Sequence, residues 1–283
     1  MKNKISSVLS IIICILMVFA IIGTFAALTA DRVYTPEFLL SQAEKTNTCE
    51  NAYNSLMKRF QDNYSISGIP AEVYEKSFTP EWMKEAIKEK IRSSYENYEA
   101  VIDCTAAEEN ITEYFENYAR EEHVIKDEIY ENKLAESVSY AQKTALNAAD
   151  IYSFDVMKRA GITDKLSSGM TVVRKCIPAC IAALIVLFIA LIFLGSSAYW
   201  TGTALFSSGL LLLIPSAVVR AENLIQKFSL KDYTTYTLVT GTLGSLNNFV
   251  FTAGCILVGT GAVLIALHCI ILRIKENRET KEN

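Results

Sequence analysis

The sequence has no excess of basic residues. Its 27 Lys and Arg are outnumbered by 31 Asp and Glu, which gives a formal net charge of −4. Nucleic-acid binding depends on clustered positive charge. The composition therefore predicts no nucleic-acid partner.

The sequence also has few of the residues and motifs that carry chemistry. It contains only two histidines, His123 and His268, whereas a zinc site needs three or four ligands. It has no Gly-rich phosphate loop, no Gly-x-Ser-x-Gly and no His-Glu-x-x-His motif. We predict no catalytic residue, no cofactor and no metal, and the sequence favours a non-enzymatic protein.

Long stretches without charge predict membrane spans. Ile5–Ala30 contains no charged residue, and neither do the 44 residues of Cys176–Val219. About 20 apolar residues cross a bilayer as a helix. A straight helix of 44 residues would be about 66 Å long, so the second stretch is expected to fold back at Gly195–Ser197. A further apolar run near 248–272 completes four spans.

The first span is predicted to be an uncleaved signal anchor. The apolar core of a signal peptide is usually 7–15 residues long, and the stretch here is longer. Cleavage after Ala30 would place Leu28 where a small residue is needed. Lys2 and Lys4 ahead of this span favour a cytoplasmic N-terminus, and four spans return the C-terminus to the same side. A bacterial plasma membrane is the expected location.

The predicted organisation follows from these spans. It comprises a cytoplasmic N-terminus (1–4), a first span (5–30), an acidic helical domain (31–173), spans at 174–195, 197–219 and 248–272, a loop (220–247) and a cytoplasmic tail (273–283). Residues 234–246 of this segment are compatible with three structures: an irregular loop, a short hairpin or a re-entrant segment.

Residues 31–173 are acidic and have repeated helix-start signals. They contain 26 acidic and 16 basic residues, a net charge of about −10. Thr35-Pro36-Glu37 and Thr79-Pro80-Glu81 each place a capping hydroxyl before a first-turn proline. Thr105 and Glu108 have the spacing of a capping box. The region is therefore predicted to be helical.

Four apolar stripes at a spacing of three and four residues give the helix count. They begin at Leu39, Met83, Ile111 and Tyr130, and the fourth is expected to run until Gly161. The chain leaves the bilayer at one face and must re-enter through it, which four antiparallel helices achieve without a long return. The predicted fold is an all-α membrane protein: four transmembrane helices with an extracytoplasmic four-helix bundle between the first and second spans.

This layout resembles the ligand-binding domains of bacterial chemoreceptors and sensor kinases over about residues 5–195, in architecture alone. Those families have a large cytoplasmic transmitter after the second span, whereas here a turn of a few residues follows. The layout is also similar to four-span permeases of the cell-division type. Output from such an arrangement would need a partner protein.

Two sets of residues are candidates for specific roles. Cys49 and Cys104 are the only cysteines of the acidic domain, and an outside location would permit a disulfide between them; two separate buried thiols are the alternative. In the fourth span, small residues recur along one face and favour close helix packing. This stripe includes Cys255, Gly259, Ala262 and Ala266. It packs either within the chain or against a partner's helix.

The sequence therefore predicts a multi-pass protein of the lipid bilayer with an extracytoplasmic helical domain for partner or ligand recognition. It would act as an accessory or sensory subunit, with a membrane-protein partner or as a homo-oligomer. The alternative is a small oligomeric pore or transporter component. A membrane-embedded enzyme is the third interpretation.

Overall fold

The computed structural model describes residues 2–96, 98–195, 197–230 and 232–282, and 85% of the chain is helix, with no strand among these residues. The predicted all-α fold is confirmed. The helices are α1 (Lys2–Val33), α2 (Pro36–Lys45), α3 (Thr48–Asp62), α4 (Tyr64–Ser67), α5 (Ala71–Ser77), α6 (Pro80–Glu96), α7 (Thr105–Glu121), α8 (Glu128–Ala149), α9 (Phe154–Arg159), α10 (Ile162–Phe193), α11 (Ser197–Ala221) and α12 (Tyr233–Glu282).

The chain forms two compact units. The helical domain consists of Thr35–Ser167 and Ser229–Gly241. The membrane unit consists of the chain up to Tyr34, Ser168–Phe228 and the chain from Thr242 onward. Both α10 and α12 contribute residues to both units.

Four helices are long and apolar enough to cross a membrane, as the sequence predicts. They are Ser6–Val33, Ile162–Phe193, Ser197–Ala221 and Tyr233–Ile274. These four helices fit a multi-pass membrane protein, and the lipid bilayer is the environment that suits them.

The structure differs from the expected loop at 220–247. α11 continues to Ala221, and α12 begins at Tyr233, so most of the Thr- and Gly-rich segment is helix. The side chain of Asp232 accepts hydrogen bonds at 2.7 Å from both the backbone N–H and the hydroxyl of Thr235. These bonds satisfy donors that would otherwise be unpaired at the start of α12.

Other expected boundaries lie partly outside the described residues. The turn at Gly195–Ser197 includes Ser196, which lies outside them, while Gly195 has a left-handed φ of +76°. Met1 of the N-terminal segment and Asn283 of the tail also lie outside them.

The helical domain is stabilised by large buried side chains. Phe60, Tyr74 and Phe78 are at most 1% exposed. The rings of Phe60 and Tyr74 stack with their centroids 3.9 Å apart, and Phe78 lies 5.9 Å from Phe60. Burying one such side chain contributes about 1.5–3 kcal/mol. This aromatic cluster joins α3 to α5 and to the turn that follows α5.

The domain has more helices than the four expected from its apolar stripes. The first stripe is divided between α2 and α3 at Asn47, whose φ of +51° is left-handed. The remaining stripes correspond to α6, α7 and α8. The short helices α4, α5 and α9 fill the connections, and the described part of the domain therefore has eight helices, α2 to α9.

Two of the three predicted helix caps are confirmed. Thr35 accepts a hydrogen bond from the backbone N–H of Phe38 at 3.3 Å, and Thr79 accepts one from Trp82 at 3.1 Å. The capping box at Thr105 is wrong. The hydroxyl and backbone N–H of Thr105 instead donate to Asp103 Oδ1, at 2.6 and 2.9 Å. Asp103 thus accepts from the Thr105 backbone N–H that a capping box would pair with Glu108, and the Thr105 hydroxyl acts as a donor where a capping box needs an acceptor.

In the membrane unit, α11 and α12 pack through glycines. A Cβ atom placed on Gly209 would lie 2.6 Å from the backbone nitrogen of Val258 and 2.9 Å from the carbonyl oxygen of Gly254. A Cβ atom on Gly261 would lie 2.7 Å from the carbonyl oxygen of Gly202. The two backbones approach so closely that no side chain fits between them at these positions.

A cluster at the opposite ends of the spans from Ala30 joins α1, α10 and α11. Its buried members are Ile13, Cys14, Met17, Leu191 and Ala204. Leu191 and Ala204 are both 0% exposed, and the thiol of Cys14 lies 3.6 Å from the carbonyl oxygen of Trp200. The small Ala204 thus lets α1 approach α11.

A set of polar residues connects the spans at their other end, and we call it the polar rim. It consists of Asp31, Arg32, Arg174, Arg220, Asn247 and Asn248. Arg174 Nε donates to Asp31 Oδ1 at 2.6 Å, and Arg220 Nη2 donates to Asn248 Oδ1 at 2.5 Å. Ser216 donates to Asn247 Oδ1 at 2.8 Å. These contacts join α1 to α10 and α11 to α12.

Candidate functional site

An open cleft lies in the helical domain. Its volume is 820 Å³. It is lined by the last part of α6, residues 98–100 and Ile102, the end of α8 and most of α9. A cleft of this size accommodates a small organic molecule.

Asp150 fixes the wall of the cleft that α9 forms. Its Oδ1 accepts a hydrogen bond from the backbone N–H of Phe154 at 2.7 Å, and its Oδ2 accepts one from Asp155 at 2.9 Å. Ser153 between them has a left-handed φ of +55°. Because both carboxylate oxygens are engaged, Asp150 stabilises the start of α9.

An ion pair holds α6 against α9 at the same cleft. Lys90 Nζ lies 2.7 Å from Asp155 Oδ2, and the Lys90 side chain is only 13% exposed. A cation this buried needs its partner, because desolvation opposes the charge. The pair therefore fixes the width of the cleft where the two helices approach.

The remaining cations of the cleft lie on the last turn of α9. Lys158 and Arg159 are exposed. The structure gives Arg159 one bond, from Nε to the carbonyl oxygen of Asp155 at 3.2 Å, and gives neither side chain an ion pair with a described residue. Apolar groups lie beside them, including Phe154 and Ile102. The cleft thus offers hydrogen-bond donors with positive charge next to an apolar surface.

Tyr98 adds a phenol to the cleft. Burial raises the pKa of Tyr98, and so does a hydrogen bond to the Glu89 carboxylate. The phenol therefore remains protonated at neutral pH and can donate or accept a hydrogen bond.

A second, smaller cavity of 280 Å³ adjoins the cleft through Asn147 and Asp150. It is lined by Arg59 of α3 and by Asp232 and Thr235 at the start of α12. The first residues of α12 are therefore part of the domain's surface, and Gly241 lies directly against Thr46, where no side chain fits.

The structure describes Cys49 and Cys104 as free thiols outside the cleft. Burial raises the pKa of each. Cys49 is in the first turn of α3, and Cys104 immediately precedes α7. The disulfide between them stays a prediction.

The small residues expected to pack in the fourth span are exposed. Cys255, Gly259, Ala262 and Ala266 are all exposed, and a Cβ atom on Gly259 would meet nothing within 4 Å. The contacts of α12 with α11 use Gly254 and Gly261 instead. The stripe lies on a face of α12 that no described residue of the chain covers.

His123 and Asp127, four residues apart, do not share a helix on which they could form a pair of metal ligands. His123 has a left-handed φ of +53° after the end of α7, and Asp127 accepts a hydrogen bond from Tyr130 as the cap of α8. Within the described ranges, no group of three or more His, Cys, Asp or Glu side chains is placed to hold a metal ion. Asp127 therefore has a structural role.

Sequence reasoning missed the residues of the cleft. Lys90 and Asp155 are 65 positions apart, and no local pattern indicates that they pair. Asp150 gave one usable signal, since aspartate is a preferred capping residue. The fourth helix was expected to run until Gly161, whereas α8 ends at Ala149 and α9 begins at Phe154. The sequence analysis therefore missed the turn that Asp150 caps.

Comparison with known proteins assigns the chain to no family. No protein-family model matches it, and neither does any curated protein or solved structure that was compared. The function proposed below therefore depends on the chain's own geometry.

Proposed function

We propose that the chain is a non-enzymatic recognition subunit of the plasma membrane, whose helical domain binds a small ligand on the extracytoplasmic side. The observation that supports this is the 820 Å³ cleft formed by α6, α8 and α9. The four spans anchor the domain, and both termini are cytoplasmic. The subunit is accessory or sensory to a membrane-protein partner.

The chemistry of the cleft suits binding of a small molecule with an anionic group. The acids of α9 are engaged in structure, because Asp150 caps the helix and Asp155 pairs with Lys90. The donors of Lys158 and Arg159 remain for a ligand carboxylate or phosphate. Phe154 and Ile102 provide apolar contact for the rest of the ligand.

A thermal-shift experiment tests this function. The full chain in lipid nanodiscs is screened against soluble carboxylates and phosphate monoesters. A ligand at 100 times its Kd stabilises the domain by about 2.7 kcal/mol, which appears as a higher unfolding temperature. Ala100→Trp fills the cleft, because Ala100 lines it, and abolishes the shift.

Val101→Trp is the matched control. Val101 is 85% exposed and lines a separate, smaller cavity, so this variant keeps the shift. The proposal is wrong if no compound in the panel stabilises the wild-type chain, or if Ala100→Trp responds as the wild type does.

The exposed small residues of α12, Cys255, Gly259, Ala262 and Ala266, form a surface against which a helix of another membrane protein can pack. Gly259 has room for a side chain from outside the chain, and small residues let helices approach closely in lipid. Gly259→Ile should abolish co-purification of a stoichiometric membrane protein in mild detergent. Ile271→Phe, at another exposed position of α12, should retain it. Equal recovery from both variants would exclude this surface.

The orientation has its own test. Protease added to intact cells should cleave the helical domain and leave the tail beyond Arg273 intact. Protection of the domain until the membrane is broken would reverse the proposed orientation.

A further inference from the structure

The polar rim has a chemical capacity beyond joining helices. Each of its charged positions adjoins a charge-free stretch: Asp31 follows Ala30, Arg174 and Lys175 precede Cys176, and Arg220 follows Val219. The contacts described above bring these boundaries together at one end of the spans. Apolar helices enter hydrocarbon where their charges stop, so the rim lies at the level of lipid headgroups.

Arg220 is held in an orientation that suits phosphate binding. Its Cζ atom lies 4.1 Å from the centroid of the Phe251 ring, and one of its nitrogens donates to Asn248 Oδ1. The structure gives no hydrogen bond from its Nε or Nη1 to a described residue. A guanidinium on an aromatic face keeps its N–H groups at its edge, where two parallel bonds to a phosphate can form.

Arg32 is held in a similar way on the neighbouring helix. Its Cζ atom lies 4.9 Å from the centroid of the Phe249 ring, and Phe249 in turn stacks on Phe25 of α1 at 5.5 Å. Phe249 and Phe251 are both in the same turn of α12. Residues two apart on a helix point in directions about 200° apart, so Arg32 and Arg220 lie at different faces of α12, and Arg220 is the one that the Phe251 face orients.

The charge balance of the rim favours an anion. Four cations lie at these boundaries: Arg32, Arg174, Lys175 and Arg220. Asp31 pairs with Arg174 at 2.6 Å and Glu222 pairs with Lys227 at 3.8 Å, so these two acids do not neutralise Arg220. The turn of α12 between the two arginines contributes no charge of its own.

We infer that the polar rim binds the phosphate of an anionic membrane lipid, with Arg220 as the principal donor. The acyl chains of that lipid lie along the apolar surfaces of the spans, and its headgroup meets the rim. Clustered cations at a helix end attract anionic lipid at the membrane surface. This site is separate from the domain cleft and does not depend on its ligand.

Native mass spectrometry of the full chain in detergent tests the inference. Dioctanoyl phosphatidylglycerol is titrated against dioctanoyl phosphatidylcholine, and bound lipid is counted directly. The wild-type chain should retain phosphatidylglycerol in preference. Arg220→Gln should weaken that binding about five-fold, since one surface cation accounts for a factor of this size. Phe251→Leu keeps the charge but removes the ring, so its loss should be smaller.

Lys133→Gln is the matched control, because it removes one exposed cation from the helical domain. It should leave phosphatidylglycerol binding unchanged. Melting temperatures measured without added lipid identify any variant that fails to fold, and Arg220→Lys then provides a milder change of the same charge site.

Three results would overturn the inference. Equal retention of the zwitterionic lipid would show that charge is not recognised. Unchanged binding in the folded Arg220→Gln variant, or in Arg220→Lys where only that variant folds, would remove Arg220 as the donor and the rim as the site. Displacement of the lipid by inorganic phosphate at equal concentration would identify a free-anion site in place of a lipid site.

Discussion

In the helical domain the helices meet through Phe60, Tyr74 and Phe78, whereas in the membrane unit α11 and α12 meet through glycines. The difference follows from the solvent. In water, burial of large apolar side chains stabilises the fold because it removes apolar surface from the solvent. Lipid is already apolar, so the same burial contributes no such free energy there. Association in lipid therefore depends on close backbone contact, which large side chains prevent.

The largest loss of stability should come from removing a large side chain from the core of the domain. Phe60→Ala leaves a cavity among Tyr74 and Phe78 and should lower the free energy of unfolding of the domain by about 3–5 kcal/mol. Denaturant unfolding of the full chain in nanodiscs, followed by tryptophan fluorescence, measures this loss. Ile66→Ala, at a position 83% exposed, should change it by less than about 0.5 kcal/mol.

The next largest effect should come from adding an atom to the membrane unit. Gly209→Ala places a Cβ 2.6 Å from the Val258 nitrogen and should destabilise the α11–α12 contact by about 1–3 kcal/mol. Thermal unfolding in detergent measures it. Gly259→Ala makes the same chemical change where nothing lies within 4 Å, and a comparable loss there would contradict glycine packing at 209.

Polar contacts between the spans should contribute less. Ser216 donates to Asn247 Oδ1 at 2.8 Å, and Asn247 Nδ2 donates to the Ser216 carbonyl oxygen at 3.2 Å. A double-mutant cycle of Ser216→Ala and Asn247→Ala should give a coupling of about 0.6 kcal/mol, typical of membrane hydrogen bonds. Additive losses would mean that the hydroxyl and the amide stabilise the spans independently.

The smallest effect should depend on pH and occur in the domain. Hydrogen bonds from the Thr105 hydroxyl and backbone N–H lower the pKa of Asp103. Its stabilising contribution is therefore complete above its unfolded pKa of about 3.9 and disappears as pH falls through the lower folded value.

Asp103→Asn retains an acceptor oxygen but cannot ionise. Its melting temperature should be lower than that of the wild type at neutral pH, and the two should converge below the folded pKa of Asp103. A difference that is constant across this pH range would assign the effect to geometry and not to the carboxylate charge.

The same contrast explains which features the sequence could predict. In the domain, the apolar stripe that begins at Leu39 continues through Leu56 and Phe60, and the one that begins at Met83 includes Ile87. All three of these residues are buried, because in water an apolar stripe marks the core. The break at Asn47 was missed, since the apolar spacing continues through it. The cleft was missed because pairs such as Lys90 and Asp155 form only when distant helices meet.

In the spans, apolar spacing carries no such information, since every face is apolar. Two small-residue faces are present on α12, one through Gly259 and one through Gly254 and Gly261. Only the second contacts α11. The sequence analysis selected the first, because nothing in a single helix indicates which small-residue face a neighbouring helix will use.

The glycine contacts also restrict how α11 and α12 can move. Gly202 contacts Gly261 and Gly209 contacts Gly254, so the glycines recur every seven residues on both helices. Sliding by one turn would place bulky side chains against backbone. The next equivalent register lies seven residues away, about 10.5 Å, which is too far for a small shear motion. We expect any conformational signal in the spans to move α11 and α12 together, as one rigid hairpin.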